Sequence, residues 1–254
     1  MRIVSLCPSL TELVFDLGRG DDLVGVTRFC VHPADGLRGK ERVGGTKTPS
    51  IDRIVQLAPD LVLLNEEENR REDADALLAA GLSCHTSLPR TAADTAAMVR
   101  SIGTALGRSS RAEEIARDIE ARSQRVREAA RGLPEVRFAY VIWREPLMAV
   151  SGDTFVSSLL GLAGGRNVLE GHPRRYPVIT PEDLVRSTPD VVLLSTEPFP
   201  FRERHIDEIS RATALAPEVF RIVDGELLSW HGSRTPAGID YAEEVIAGAR
   251  ASIT

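Results

Sequence analysis

The chain has 254 residues, 43% of them hydrophobic and 27% charged, with a formal charge of −6 at pH 7. That balance belongs to an ordinary globular protein; no apolar run approaches the ~20 residues a membrane-spanning helix needs, and no basic stripe is offered to a phosphate backbone, so transmembrane and nucleic-acid-binding readings are set aside. The cysteines, Cys7, Cys30 and Cys84, share no disulfide or CxxC spacing and read as free thiols.

Taken in chain order, apolar runs predict strands near 2–6, 23–26, 61–64 and 82–86, alternating with amphipathic helices near 9–17, 50–57 and 70–80. Such alternation implies right-handed crossovers and a mainly parallel sheet. From Thr91 to Arg131 the chain has no proline and reads as two helices meeting at Leu106-Gly107-Arg108. The second opens on a capping box, Ser110 to Glu113, keeps Ile115, Ile119, Arg122 and Val126 at helical spacing, and is stopped by Gly132 and Pro134. At 1.5 Å per residue it forms a stiff rod of ~30 Å. Beyond it come strands near 136–142, 147–150, 190–194 and 220–223, with helices near 154–162, 181–187, 203–211 and 236–250. The fold expected is α/β: two Rossmann-like lobes with mainly parallel sheets, residues 1–90 and 135–254, bridged by a long rigid α-helix within 91–134.

A repeat supports two similar lobes. The segment Ile54-Val55-Gln56-Leu57-Ala58-Pro59-Asp60-Leu61-Val62-Leu63-Leu64 returns as Leu184-Val185-Arg186-Ser187-Thr188-Pro189-Asp190-Val191-Val192-Leu193-Leu194. In each copy proline stops a short helix, and an all-apolar strand follows, the pattern of a strand buried on both faces. Thr48-Pro49 and Thr180-Pro181 each place a hydroxyl at the expected N-cap and proline at the first helical position, with Asp183 completing a capping box in the second.

Ligands of open parallel sheets sit beyond the carboxyl ends of the strands. Phe29, Trp143, Tyr176, Phe199, Phe201 and Trp230 fall in those loops, which suits a flat, bulky, partly apolar ligand. Arg28, Lys47, Arg144, Arg174, Arg175 and Arg234 share the loops with Ser233 and Thr235 and offer partners to ligand carboxylates or phosphates. Gly44-Gly45-Thr46-Lys47 lacks the spacing of a P-loop, and no Gly-x-Ser-x-Gly elbow occurs, so neither nucleotide hydrolysis nor a serine hydrolase is indicated. Cys30, His32 and His231 are the candidate metal ligands, with hydrogen-bonded loop histidines as the plainer alternative. Glu66-Glu67-Glu68 offers carboxylates to a hard cation, with a solvated helix N-terminus facing the dipole as the commoner explanation.

Several phrases resemble the class III substrate-binding proteins of ABC importers, the helical-backbone metal receptor group that includes cobalamin-binding and iron-siderophore-binding proteins. They are Arg2-Ile3-Val4-Ser5-Leu6 with Pro8-Ser9-Leu10-Thr11-Glu12-Leu13, Leu23-Val24-Gly25-Val26-Thr27, the Pro-Asp-Leu-Val-Leu run at 59–63, Trp143-Arg144-Glu145-Pro146-Leu147-Met148, Gly152-Asp153-Thr154-Phe155 and Gly164-Gly165-Arg166-Asn167. The resemblance covers essentially the whole chain. It implies a non-catalytic, monomeric binding protein that takes a small-molecule metal chelate in a shallow interlobe cleft: a cobalamin-type corrinoid first, then a ferric siderophore or haem, with no covalent cofactor. It also implies an ABC permease as partner, docked through one acidic residue at each lobe tip, for which Glu72 and Glu203 are the nearest counterparts. The alternative is a cytosolic metal-binding protein or metalloenzyme using Cys30, His32 and His231. No signal peptide precedes Arg2-Ile3, so the chain as it stands reads as cytoplasmic, and as periplasmic or cell-surface if a leader was removed.

Overall fold

A computed structural model of the chain describes residues 1–253. The repeated segment sets its architecture. Helix α2 (Ile51–Gln56) is followed by strand β4 (Leu61–Asn65), and α7 (Pro181–Arg186) by β9 (Val191–Ser195), both strands buried throughout. The residue ahead of each proline leaves the helix by the left-handed region, Ala58 at φ 44° and Thr188 at φ 47°, a conformation costing a non-glycine residue ~1 to 2 kcal/mol. The aspartate after each proline then locks the new strand to its neighbour. The Arg2 N–H donates to Asp60 Oδ2 at 2.7 Å while the Asp60 N–H returns to the Arg2 carbonyl at 2.8 Å, and the Arg2 guanidinium holds the Leu57 carbonyl at 2.7 Å. In the second copy the Arg137 N–H and Asp190 exchange the same pair at 2.7 Å each, with the Arg137 guanidinium on the Ser187 carbonyl at 2.6 Å. Each clamp satisfies helix-end carbonyls that would otherwise lack partners.

The chain divides into two compact units. Unit 1 contains β1 (Ile3–Ser5), α1 (Pro8–Asp16), β2 (Leu23–Val26), β3 (Glu41–Arg42), α2, β4, α3 (Arg71–Ala79) and β5 (Cys84–Ser87), then α4 (Ala92–Ala105) and the first part of α5 (Ser109–Ala129). Its sheet is wholly parallel in the order β3-β2-β1-β4-β5. One core packs Val4, Leu6, Val62 and Leu64 on Ile54 and Leu77 of the covering helices. The bend between α4 and α5 is tight: a Cβ on Gly103 would stand 2.1 Å from the Ala112 methyl, so only glycine fits.

Unit 2 takes the rest of α5, then β6 (Val136–Trp143), β7 (Met148–Ala149), α6 (Phe155–Leu162), β8 (Gly165–Asn167), α7, β9, α8 (Glu203–Thr213), β10 (Phe220–Val223), α9 (Gly225–Ser229) and α10 (Thr235–Ala251). Its sheet runs β10-β9-β6-β7, with β8 also on β6; only β7 is antiparallel. Ala139, Val141, Val192 and Leu194 pack on Leu184, Ile209 and Phe201. Arg122 and Arg125 of α5 pair with Asp240 of α10, and Arg125 also holds Glu243.

The α/β reading with two mainly parallel sheets is what the structure shows. The boundary between the units falls inside α5, between Asp118 and Ile119. Local details differ from the expectation. Helix α2 starts at Ile51 behind Ser50, which makes no side-chain cap bond, because Pro49 is held in a bridge to Gly44; Thr48 is therefore not the N-cap. Thr180 does cap α7, with both bonds of the capping box to Asp183 in place. Helix α5 begins at Ser109, and the Glu113 carboxylate is taken by Arg100 and Arg117, whose hydrogen bonds hold its pKa down at about 2, in place of closing a box on Ser110. The short β3, β8 and α9 were not anticipated.

Candidate functional site

In unit 1 the loops beyond the strands are tied together by two buried asparagines. Asn65 ends β4. Its Oδ1 accepts the N–H groups of Glu67 at 2.9 Å and Glu68 at 3.3 Å, and its Nδ2 donates to the Ser87 carbonyl at 3.1 Å. Asn69 accepts the Asn65 N–H at 2.9 Å and donates to the carbonyls of Leu6 and Thr46, both at 3.0 Å, thereby joining the ends of β1 and β4 to the glycine loop. Neither asparagine stands out by sequence pattern, beyond being a polar residue at or after the close of an apolar strand.

His231 belongs to this unit and completes the network. Its Nε2 lies 3.2 Å from Asn65 Nδ2 and 3.5 Å from Ser9 Oγ. Because Asn65 Oδ1 is already fixed as an acceptor, the amide group facing the imidazole is the donor, so Nε2 carries the lone pair and Nδ1 the proton. Burial pushes the His231 pKa down to about 4. The ring is thus neutral, and its basic nitrogen accepts from Asn65 in place of facing an open site. Cys30 is likewise sealed: Thr11 donates to its Sγ at 3.1 Å, Thr27 Oγ1 is 3.2 Å away, and burial raises its pKa. Cys7 beside Ser9 is pushed up to about 12 by burial. Neither thiol offers a thiolate at neutral pH.

Arg234, read as a partner for a ligand anion, instead grips Glu12 through both nitrogens, Nε to Oε2 at 2.8 Å and Nη2 to Oε1 at 2.7 Å. The Lys47 ammonium reaches the Glu67 carbonyl and acts on the half-buried carboxyl of Glu68, whose pKa desolvation raises even so. Phe29 is 48% exposed, with the Arg28 guanidinium 4.9 Å over its ring, and a Cβ on Gly45 would touch both side chains. His32 is half-buried and Val31 is exposed in the same loop.

In unit 2, Trp143 pairs across the strands with Met148, which bridges to Val178; Tyr176, two residues earlier, shares the Val178 face. Trp143 is 39%, Tyr176 37% and Val178 52% exposed, so this row is an apolar face left open to solvent. Phe199 stands edge-on to Trp143 at 5.8 Å and to Phe201 at 4.8 Å. Phe201 itself is core, and Trp230 is buried with its indole N–H on Glu197 Oε2 at 2.7 Å. Both aromatics were expected at a ligand and are buried in unit 2. Arg144 lies between Glu145 at 3.2 Å and Glu208 at 3.1 Å. Glu72 and Glu203 are exposed in the first turns of α3 and α8, equivalent helices after the repeated strands. Arg70 and Arg71 flank the first, Arg202 and Arg204 the second.

A model of the periplasmic binding protein family matches residues 3–216. The chain belongs to that family. Among curated members it is similar to the vitamin B12-binding protein of Vibrio parahaemolyticus, 26% identical over 195 residues that cover 76% of this chain and 70% of the relative. Two solved members share its fold. The periplasmic vitamin B12 binding protein BtuF of Vibrio cholerae superimposes with a TM-score of 0.84 at 22% identity, over 98% of this chain and 97% of that one. The periplasmic heme-binding protein RhuT from Roseiflexus sp. RS-1 does so with 0.83 at 22% identity, over 100% and 99%. Membership bears out the resemblance read from the sequence, and the family is one of binding proteins.

Proposed function

We propose that this protein is a non-catalytic binding protein for a metal chelate, with a cobalamin-type corrinoid first and a ferric siderophore or haem next, serving as the substrate-binding component of an ABC transporter. The observation that carries the reading is the exposed row Trp143, Tyr176 and Val178 with Phe199 behind it, in a family of binding proteins whose curated relatives include vitamin B12-binding proteins. A flat macrocycle with apolar edges suits such a row, and the commitment of Arg144, Arg234 and Lys47 to internal partners disfavours a polyanionic siderophore.

The metalloenzyme alternative loses support from the same geometry. Of its three candidate ligands, Cys30 and His231 spend their donor atoms on internal hydrogen bonds, which leaves His32. Glu72 and Glu203 remain the acids proposed to dock a permease, in keeping with their matched places in the repeat, and a transport role puts the monomer in the periplasm or at the cell surface. The test is a titration of the purified protein with cyanocobalamin, haemin and a ferric hydroxamate, followed by tryptophan fluorescence and calorimetry. Saturable binding of the corrinoid at one equivalent, tighter than of the others, is the expected result. Binding of none of the three, with stoichiometric uptake of zinc, would return the metalloprotein reading.

A further inference from the structure

Strand β10 lies at the open edge of the unit 2 sheet. Beside it runs a groove of about 700 Å³, lined by Arg202, Arg204 and Ile206 at the start of α8 and by Phe220, Arg221 and Ile222 of the strand. The Thr196 N–H donates to the Val223 carbonyl at 3.0 Å, which turns the peptide groups of Val223 and, two residues earlier, Arg221 toward β9. The N–H and carbonyl of Ile222 therefore face away from β9, along the open edge. An edge strand of this kind is a template for another strand unless something blunts it. Here no proline interrupts β10, and its one charged side chain is drawn off to α10, where Arg221 Nη2 donates to the Gly248 carbonyl at 2.9 Å and to Ser252 Oγ at 2.7 Å.

The charge around the groove is one-sided. Arg202 and Arg204 are both exposed, and neither guanidinium has a carboxylate partner among the described residues. Both oppose the dipole of α8, whose N-terminus they flank, and only Arg204 has an internal task there, its Nε donating to His205 Nε2 at 3.3 Å. Glu203 is the single acid among the lining residues, against three arginines.

We propose that this edge docks an acidic, extended segment of a partner protein, which adds to β10 as a further strand. Main-chain bonds to Ile222 would supply affinity, and alternate side chains specificity. One set lies over the apolar floor of Ile206, Phe220 and Ile222 with carboxylates reaching Arg202 and Arg204; the other faces the fixed charge of Arg221. The proposal uses none of the aromatic row and stands apart from the chelate reading; Glu203, which also lines the groove, is the acid proposed above to dock a permease, so the two partners would compete for this face.

The test titrates the full-length protein into a fluorescein-labelled peptide of alternating Glu and Val, with a Lys/Val peptide as control, and follows anisotropy. The Glu/Val peptide should bind and the control should not. The double variant Arg202→Glu/Arg204→Glu should weaken binding about tenfold or more, equivalent to ~1.4 kcal/mol. Ile222→Pro, which deletes the outward N–H while keeping the bonds of Arg221 and Val223 to β9, should weaken it similarly; circular dichroism checks that this variant folds, and the exposed arginine pair carries the test if it does not. Equal binding of both peptides, or binding unchanged in the arginine variant or in a folded Ile222→Pro protein, overturns the proposal. So does capture by anionic phospholipid vesicles with no binding of the Glu/Val peptide, or a dimer seen by light scattering without peptide and abolished by Ile222→Pro.

Discussion

The two copies of the repeated helix and strand end in different chemistry. Strand β4 closes on Asn65, whose amide is shared among Glu67, Glu68, Ser87 and His231. Strand β9 closes on Ser195, which accepts the Tyr140 hydroxyl at 3.0 Å and donates to the Glu197 carbonyl at 2.6 Å, and the loop beyond it leads to the aromatic group of Phe199 and Trp143. One scaffold therefore carries a polar loop anchor in unit 1 and an apolar open face in unit 2. Duplication conserves the part that folds, the clamp of Arg2 on Asp60 and of Arg137 on Asp190, and leaves the strand ends free to diverge.

The largest effect expected is at Trp230. Its side chain is buried and its indole N–H is paired with Glu197, so Trp230→Ala should lower stability by about 3 to 5 kcal/mol in urea denaturation. A loss under ~1 kcal/mol would make it a ligand-facing residue like Trp143 and erase the distinction between the two tryptophans. The contrast in unit 1 is electrostatic. The His231 pKa falls from 6.5 to about 4 on folding, so the unfolded chain takes up the proton first; stability is full above pH 6.5 and declines as pH falls toward 4, by ~3 kcal/mol in the limit. His231→Gln should reduce the slope of the stability profile between pH 6.5 and 5, with the other shifted groups, Glu68, His85 and His205, left as they are, and an unchanged slope there would mean that the His231 imidazole is not among the groups responsible.

Next comes Trp143→Ala, which removes an exposed ring. It should leave stability within ~0.5 kcal/mol while costing ~1 to 3 kcal/mol of corrinoid binding measured by calorimetry. Intact affinity would detach the aromatic face from function. The smallest effect compares the helix caps of the repeat: Thr180→Ala, which breaks a capping box, should cost about 1 kcal/mol, against a few tenths for Ser50→Ala, where no side-chain bond is lost. Equal costs would show that the two copies are capped alike in solution.

What was legible in the sequence follows from where the forces are local. Proline followed by Asp and an apolar run names its own helix end and buried strand, and Thr180-Pro181 with Asp183 names its own cap. Glu41–Arg42 and Gly165–Asn167 become strands only by pairing with β2 and β6, and no periodicity can develop over two or three residues. Pro49 bridges back to Gly44, a contact that moves the helix start from Thr48 to Ser50 and that neither residue announces. The site divided in the same way. Phe29 and Tyr176 in loops and Trp143 at the end of β6 stay open to solvent, whereas Phe201 and Trp230 also lie outside strands and helices and are buried. His231 takes the hydrogen-bonded course that the sequence also offered, but its partner Asn65, like Glu12 for Arg234, lies too far away in the chain to be read from it.

That distance has a consequence for synthesis. Unit 1 consists of Met1–Pro89 and Ala93–Asp118 together with His231–Arg234. When the ribosome has made α4 and the first part of α5, this unit still lacks the imidazole that accepts from Asn65 and the guanidinium that neutralises Glu12. Both arrive only after most of unit 2 has been translated, on the order of ten seconds later at ~5–20 residues per second. A nascent or truncated N-terminal fragment therefore carries a buried amide donor and a carboxylate without their partners, and the last-made third of the chain completes the part begun first.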